Sequence, residues 1–196
     1  FTKDAIAAGY KEEFLLSTGL TFKRESDGAL RDRFSDRVIF PIHNVSGRVV
    51  GFGGRTLRTD KKVAKYQNSP ESDIYNKRRE LYGFYFAKKA IQQQDNAILV
   101  EGYADVISMH QAGVENVVAS SGTSLTEEQI RLISRFTRNM TLMFDGDPAG
   151  VKAALRGVDL VLKEDMNVRI VLLPEEHDPD TFAREHTTEE LREYIE

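Results

Sequence analysis

The sequence predicts an α/β fold, a parallel sheet with helices on both faces, preceded by a smaller mixed α+β subdomain of basic character. Three observations lead there. In the second half, Ala97-Ile98-Leu99-Val100, Val117-Val118-Ala119, Met140-Thr141-Leu142-Met143-Phe144 and Val168-Arg169-Ile170-Val171-Leu172 are short apolar runs, as strands buried on both faces require. Helical patterns lie between them, and strand, helix, strand at this spacing implies right-handed crossovers. The charge also divides: residues 1–95 carry 18 basic and 12 acidic side chains, a net of +6, whereas residues 96–196 carry 9 and 19, a net of −10.

Along the first half, Val38–His43 and Arg48–Phe52 are β-rich runs separated by Asn44-Val45-Ser46-Gly47, a polar turn with glycine where positive φ is needed, so a hairpin is expected. Residues 54–80 are polar and lack periodicity, which predicts an exposed loop or short irregular elements, followed by a helix over Leu81–Gln93. In the second half, Thr126-Glu127-Glu128-Gln129 reads as a capping-box start and Gly113 as a helix C′ glycine. Val151, Ala154, Leu155, Val158 and Leu162 form a helical stripe. The expected division is 1–95, 96–180 and a C-terminal helical subdomain beginning at 181–196. Phe1 at the start and the helical pattern of Glu189–Glu196 at the end read as a piece of a longer polypeptide.

The absence of cysteine removes disulfides, thiolate zinc sites and cysteine nucleophiles, so no zinc is expected in these residues and a reducing cytoplasm is the natural setting. No apolar run approaches the roughly 18 to 20 residues of a membrane helix. The whole-chain net charge of −4 does not suggest nucleic acid, but the two halves face different chemistry.

The acids fall just after the strands. Glu101 follows the first run, Asp145 and Asp147 the third, and Asp178 and Asp180 come a short loop after the fourth. Ligands of an open parallel sheet bind outside the carboxyl ends of its strands, so these five carboxylates are expected to converge. Two like charges about 4 Å apart repel by roughly 4 kcal/mol even at an effective dielectric of 20. A bound cation or raised pKa values must offset that, and hard oxygen donors select Mg²⁺, Mn²⁺ or Ca²⁺. Other readings stand beside this one: Asp147 and Asp178 each precede proline and fit a helix cap or a turn, and Asp180 fits a first-turn acid. Glu101, before Gly102 at the end of a buried strand, has no such alternative.

Residues 48–79 hold Arg48, Arg55, Arg58, Lys61, Lys62, Lys65, Lys77, Arg78 and Arg79 against three acids, with Tyr66 and Tyr75 interleaved. That pattern suits phosphate contact with base stacking, or a solvated face. Gly51-Phe52-Gly53-Gly54 is not a Walker A loop, since no Gly-Lys-Ser/Thr follows.

Glu101-Gly102-Tyr103-Ala104-Asp105, Asp145-Gly146-Asp147-Pro148-Ala149-Gly150 and Asp178-Pro179-Asp180 resemble the three signatures of the Toprim domain of bacterial primases, topoisomerases and some nucleases. Upstream, Arg37-Val38-Ile39-Phe40-Pro41-Ile42, Gly47–Arg55, Lys65–Glu71 and Asn76-Lys77 through Leu81-Tyr82-Gly83 resemble the catalytic core of the bacterial replicative DNA primase. The sequence departs from that pattern at Gln67 and Arg78.

The resemblance implies a Rossmann-like Toprim sheet and a Mg²⁺-dependent RNA polymerase, with Mn²⁺ as substitute, that makes short primers from NTPs on single-stranded DNA. It implies metal ligation by Glu101, Asp145, Asp147, Asp178 and Asp180, the first three also catalytic, with Asp105 nearby. Nucleotide binding falls to Arg55, Lys65, Asn68, Lys77 and Tyr103, while the charge of the basic segment, apart from the resemblance, assigns template contact to Arg48, Arg58, Lys61, Lys62, Arg78 and Arg79. Further expectations are guanosine alarmones as competitors, a replicative helicase bound through a region not in this sequence, no membrane, and a bacterial cytoplasmic location at the replication fork. Two rival functions remain: topoisomerase- or nuclease-type strand cleavage, and a non-catalytic DNA-binding module ordered by metal.

Overall fold

A computed structural model describes residues 1–59, 63–120, 122–174 and 177–196. The chain forms two compact units, residues 1–42 with 49–76 and residues 43–48 with 77–196. Among the described residues no helix is long and apolar enough to cross a membrane.

The first unit begins with two short helices, α1 (Thr2–Ala7) and α2 (Glu12–Ser17). Strands β1 (Thr21–Lys23) and β2 (Leu30–Asp32) pair antiparallel, Thr21 opposite Asp32. Asp32 also accepts from the backbone N–H of Thr2 at 2.8 Å, which ties α1 to β2. A second sheet has the order β3-β4-β5, formed by β3 (Arg37–His43), β4 (Val49–Thr56) and β5 (Tyr66–Asn68). The expected hairpin joins β3 to β4: Asn44 Oδ1 accepts from the N–H groups of Ser46 and Arg48, and Gly47 has φ +85°. The segment expected to be an irregular loop contains β5, which pairs antiparallel with β4, Gly53 opposite Asn68 and Arg55 opposite Tyr66. Its three polar residues carry no alternation, so the pairing is imposed by β4 rather than by local pattern.

The second unit is a four-stranded parallel sheet of order β7-β6-β8-β9, built from β6 (Ala97–Val100), β7 (Val117–Ala119), β8 (Asn139–Phe144) and β9 (Asn167–Leu172). Helix α3 (Phe84–Gln94) leads into β6 and begins three residues later than expected. One face carries α3, α5 (Glu127–Ile133) and α6 (Pro148–Lys163), whose Phe84, Ile91, Ile130, Ile133, Ala154 and Val161 share a core with Leu99 and Leu142. The other carries α4 (Tyr103–Gln111), α7 (Pro179–Glu185) and α8 (Thr188–Ile195), where Met109, Phe182, Leu191 and Ile195 pack with Ile98 and Met143. Helices therefore cover both faces, as the alternation of patterns predicts.

Several expectations need correction. Helix α3 shares a core with the sheet, and Phe182, Leu191 and Ile195 pack on the sheet's other face. The capping box at Thr126 and Gln129 forms, the Gln129 N–H reaching Thr126 Oγ1 at 3.2 Å and the Thr126 N–H reaching Gln129 Oε1 at 3.2 Å. The stripe proposed for α6 is off phase: Leu155 and Leu162 are 59% and 55% exposed, and the buried positions are Gly150, Ala154, Gly157 and Val161. A Cβ at Gly157 would stand 2.8 Å from Leu142 Cδ1, so the absence of a side chain is what lets the helix press on β8. β9 stands at the edge, with Ile170 and Leu172 exposed, and is not the doubly buried strand its composition suggests.

Candidate active site

Strand order brings the acids to one end of the sheet. The connection leaving β6 leads to β7 on one side, while β8 lies on the other, so the order reverses between β6 and β8. Crevices of open α/β sheets form at such a reversal. Leu99 stands opposite Leu142 in parallel register, which carries Glu101 and Asp145 off adjacent strand ends.

Each following loop is fixed by its own carboxylates. The Gly102 N–H donates to Asp105 Oδ2 at 2.8 Å and closes the entry to α4. Asp147 caps α6, its Oδ1 accepting from the Gly150 N–H at 2.6 Å with Pro148 in the first turn. Asp178 caps α7 in the same way, its Oδ1 accepting from the N–H and hydroxyl of Thr181 at 2.7 and 2.6 Å. Capping is thus real, and it does not compete with ligation, because both caps use Oδ1 and leave Oδ2 for another partner. Gly150 also makes room for the chain: a Cβ there would overlap the carbonyl oxygen of Asp145. Asp180 is held differently, by Ser108 Oγ of α4 and by Arg184, whose Nη2 lies 2.7 Å from Oδ1 and 2.9 Å from Oδ2.

The charges in this end of the unit strain against one another. Burial raises the pKa of Glu101, and the charges of Asp145 and Asp147 add to the shift. Asp145 is raised by burial, then by Asp178 and Asp147. Asp105 is pushed up to about 6, chiefly by burial, against the opposing Gly102 N–H and with help from Asp178, Asp145 and Asp180. Burial opposes ionisation of Asp178 too, but the Thr181 hydroxyl and N–H outweigh it and hold that carboxyl below its usual value. Among the described residues no three such groups enclose a point where an ion would sit. The donor chemistry nonetheless fits a hard divalent cation, because the candidate donors Glu101, Asp145, Asp147 and Asp178 are all carboxylates and repel one another without one.

The basic candidates divide between the units. In the first, the Arg55 guanidinium lies 5.7 Å and the Lys65 ammonium 6.0 Å from the centre of the Tyr66 ring, a consequence of the β4–β5 register. Asn68 is half-buried on β5, and Arg58 is exposed beyond β4. Lys61 and Lys62 lie outside the described residues. In the second unit Arg48, Arg78 and Arg79 are exposed and Lys77 is half-buried. Arg78 pairs with Glu128 at 3.7 Å, and the Lys77 carbonyl accepts from Gln129 Nε2 at 3.1 Å. The Tyr103 ring is buried edge-on against Tyr82, with centroids 4.6 Å apart, and so supports the loop that begins at Glu101.

Sequence reading did not single out Arg37, Ser108, Arg156 or Arg184. Arg37 donates to the carbonyls of Gly54, Ala64 and Lys65 at 3.2, 3.0 and 3.3 Å and so anchors the strand ends that carry Arg55 and Lys65. Arg37 and Ser108 give no signal because their partners lie far away in sequence, whereas Arg184 stands four residues after Asp180, a helical charge-pair spacing that could have pointed to it.

Comparison with known proteins places the chain. The family described as DNA primase catalytic core, N-terminal domain, matches residues 1–88, and a Toprim-like family matches residues 98–183. A DNA primase of Halalkalibacterium halodurans is 48% identical over 178 residues, covering 91% of this chain and 29% of that protein. The crystal structure of a DNA primase domain from Pseudomonas aeruginosa superposes with a TM-score of 0.89 at 39% identity, covering 98% of this chain and 61% of that one. A DnaG primase catalytic domain bound to single-stranded DNA gives 0.88 at 38% identity, covering 98% and 64%. The chain spans 29 to 31% of the length of the first curated relatives it matches.

Proposed function

The chain belongs to the bacterial DNA primase family as part of its catalytic core, and from that premise we propose that it carries the chemistry of primer synthesis: short RNA made from NTPs on single-stranded DNA. The observation that supports this best is the placing of Glu101 and Asp145 at the reversal of strand order, with helix caps Asp147 and Asp178 presenting further carboxylate at the same end.

A Toprim-like domain in a primase core implies a divalent metal. The proposed ion is Mg²⁺, with Mn²⁺ as substitute, held by Glu101, Asp145, Asp147 and Asp178. Asp180 joins them only by loosening its hold on Arg184. When bound, such an ion supplies positive charge to the attacking and leaving oxygens of an in-line displacement at phosphorus. Nucleotide binding falls to Arg55, Lys65 and Asn68 in the first unit, the first two steadied over Tyr66 and by Arg37, and to Lys77 and Tyr103 in the second, and charge-assisted contacts to phosphate are the strong ones. Tyr103 contributes by packing under the Glu101 loop. Arg48, Arg58, Lys61, Lys62, Arg78 and Arg79 follow the template backbone without reading its sequence. A guanosine alarmone, being a polyphosphate nucleotide, competes at the triphosphate contacts. The setting is the bacterial cytoplasm at the replication fork, with a helicase engaged by residues outside this chain.

Incorporation of labelled ribonucleotides on a single-stranded template tests the reading. RNA polymer supports it, cutting of the template instead supports a topoisomerase- or nuclease-type enzyme, and tight DNA binding without chemistry supports a binding module. Strand cleavage leaves the primase-like motifs of residues 48–79 unexplained, which favours the first.

A further inference from the structure

A cavity of about 520 Å³ opens beside the acids on the sheet face that carries α5 and α6. Its wall includes Glu101, Asp145 and Asp147, so whatever enters it meets the same carboxylates. The register that sets Val100 opposite Ala119 places Ser120 beside Glu101, and Thr123 continues that wall with a second hydroxyl. Phe144 and Leu160 give an apolar surface, and Arg156, about two and a half turns along α6 from the Asp147 cap, supplies a cation. The volume falls in the range of about 300 to 1,000 Å³ typical of small-ligand sites. Apolar wall, paired hydroxyls, one guanidinium and a border of carboxylates match base, ribose, phosphate and a reacting hydroxyl in turn.

We propose that this cavity receives the nucleotide whose 3′-hydroxyl attacks, which at the start of a chain is a free nucleoside triphosphate. The inference rests on the primer-synthesis reading and adds a second nucleotide site to it. Starting a chain without a primer requires two nucleotides at one set of carboxylates, the incoming one and the one whose hydroxyl attacks. In the step itself the 3′-oxygen forms a bond to the α-phosphorus of the incoming nucleotide. The bond from that phosphorus to the bridging oxygen breaks, pyrophosphate leaves with the electron pair, and the hydroxyl proton passes to water. A growing primer is also held by pairing to the template, whereas the initiating nucleotide depends more heavily on the cavity.

The test uses the full-length protein and compares Arg156→Ala and Ala149→Leu with wild type. Removal of a charge-assisted hydrogen bond predicts that the KM of the initiating nucleotide in dinucleotide formation rises about tenfold, with extension of an annealed primer changed less than about threefold. Rescue of initiation by Arg156→Lys separates direct binding from a folding defect. Equal impairment in both assays, or in neither, overturns the site. A second readout is independent of turnover: a photoreactive azido-nucleoside triphosphate should crosslink near Ser120 or Arg156, and crosslinks found only around Arg55 and Lys65 overturn the proposal. If wild type forms no polymer at all, the primer-synthesis reading fails first, and crosslinking still reports whether the cavity takes a nucleotide.

Discussion

Leu99 of β6 lies opposite Leu142 of β8, and through this apolar pair two acids 44 positions apart in the sequence leave neighbouring strands together. Glu101 thereby carries an electrostatic cost that the strands impose: after burial, the charge of Asp145 is what most raises its resistance to ionisation, while Asp145 is itself raised by burial and by Asp178 and Asp147.

Neutralising that pair should therefore stabilise the protein when divalent ions are chelated. Glu101→Gln and Asp145→Asn are each expected to add about 0.5 kcal/mol at neutral pH after solvent screening, and the double variant less than the sum, because the first change already relieves the repulsion. With Mg²⁺ at a hundred times its dissociation constant the order reverses, since wild type gains about 2.7 kcal/mol from binding and the variants lose most of that gain. Thermal melts with and without Mg²⁺ measure both effects, and equal Mg²⁺ gains in wild type and Asp145→Asn would show that Asp145 is no ligand.

Asp105 gives the pH dependence. Its carboxyl ionises in the fold at about 6 rather than 3.8, so the native state holds the proton more tightly than the unfolded chain. The stabilisation from that proton is complete below the unfolded value and is lost as pH rises through the folded one. Asp105→Asn keeps an acceptor for the Gly102 N–H and carries no charge. The variant should exceed wild type by about 2 kcal/mol above pH 7 in chelator, with the difference vanishing near pH 4. Denaturant midpoints across that range decide it, and a difference independent of pH would mean that the ionisation of Asp105 is not its source.

Gly150→Ala tests the close approach between α6 and the Asp145 carbonyl. The obstacle is backbone, which cannot rotate away, so stability should fall by about 1 to 3 kcal/mol. The half-saturating Mg²⁺ concentration should also rise, because Asp145 is displaced. A stability loss with unchanged Mg²⁺ dependence would mean that the strain is absorbed elsewhere.

Nucleotide and template handling should separate. Lys65→Ala and Arg55→Ala are expected to reduce kcat/KM for NTPs at least tenfold, from interactions worth about 1.5 to 3 kcal/mol, while single-stranded DNA affinity changes little. Replacing Arg58, Lys61 and Lys62 together should instead flatten the slope of log affinity against log salt by about 0.7 for each phosphate that is no longer neutralised. The reverse pattern would exchange the two roles.

The sequence shows most of what sequential spacing controls. The four apolar runs become the four parallel strands, and Thr126 with Gln129 forms the expected capping box, because both signals are local. The burial of β9 was not legible, since an apolar run reads alike at the centre and at the edge of a sheet, and only the strand order decides. The phase of α6 was hidden because its buried face contains Gly150 and Gly157, which count as gaps in an apolar stripe but mark the closest approach. At the site, the acids were visible from their positions after strands, whereas the hold of Ser108 on Asp180 joins residues 72 apart with no shared pattern. The cavity beside Glu101 has no sequence signature either, since Ser120, Thr123 and Arg156 are ordinary residues until the β6–β7 register and the placement of α6 assemble them.

Asp147 and Asp178 each start a helix with one carboxylate oxygen and keep the other for a second partner. That double duty narrows what either position tolerates far more than a helix start alone would. Serine or asparagine would begin the helix well but bring no negative charge, and glutamate would bring the charge on an arm poorly suited to the cap. Aspartate alone meets both demands. Variants at these two positions should therefore fail in two different ways, with asparagine folding normally and losing cation affinity, and glutamate retaining affinity on a frayed helix whose first amides exchange rapidly with solvent.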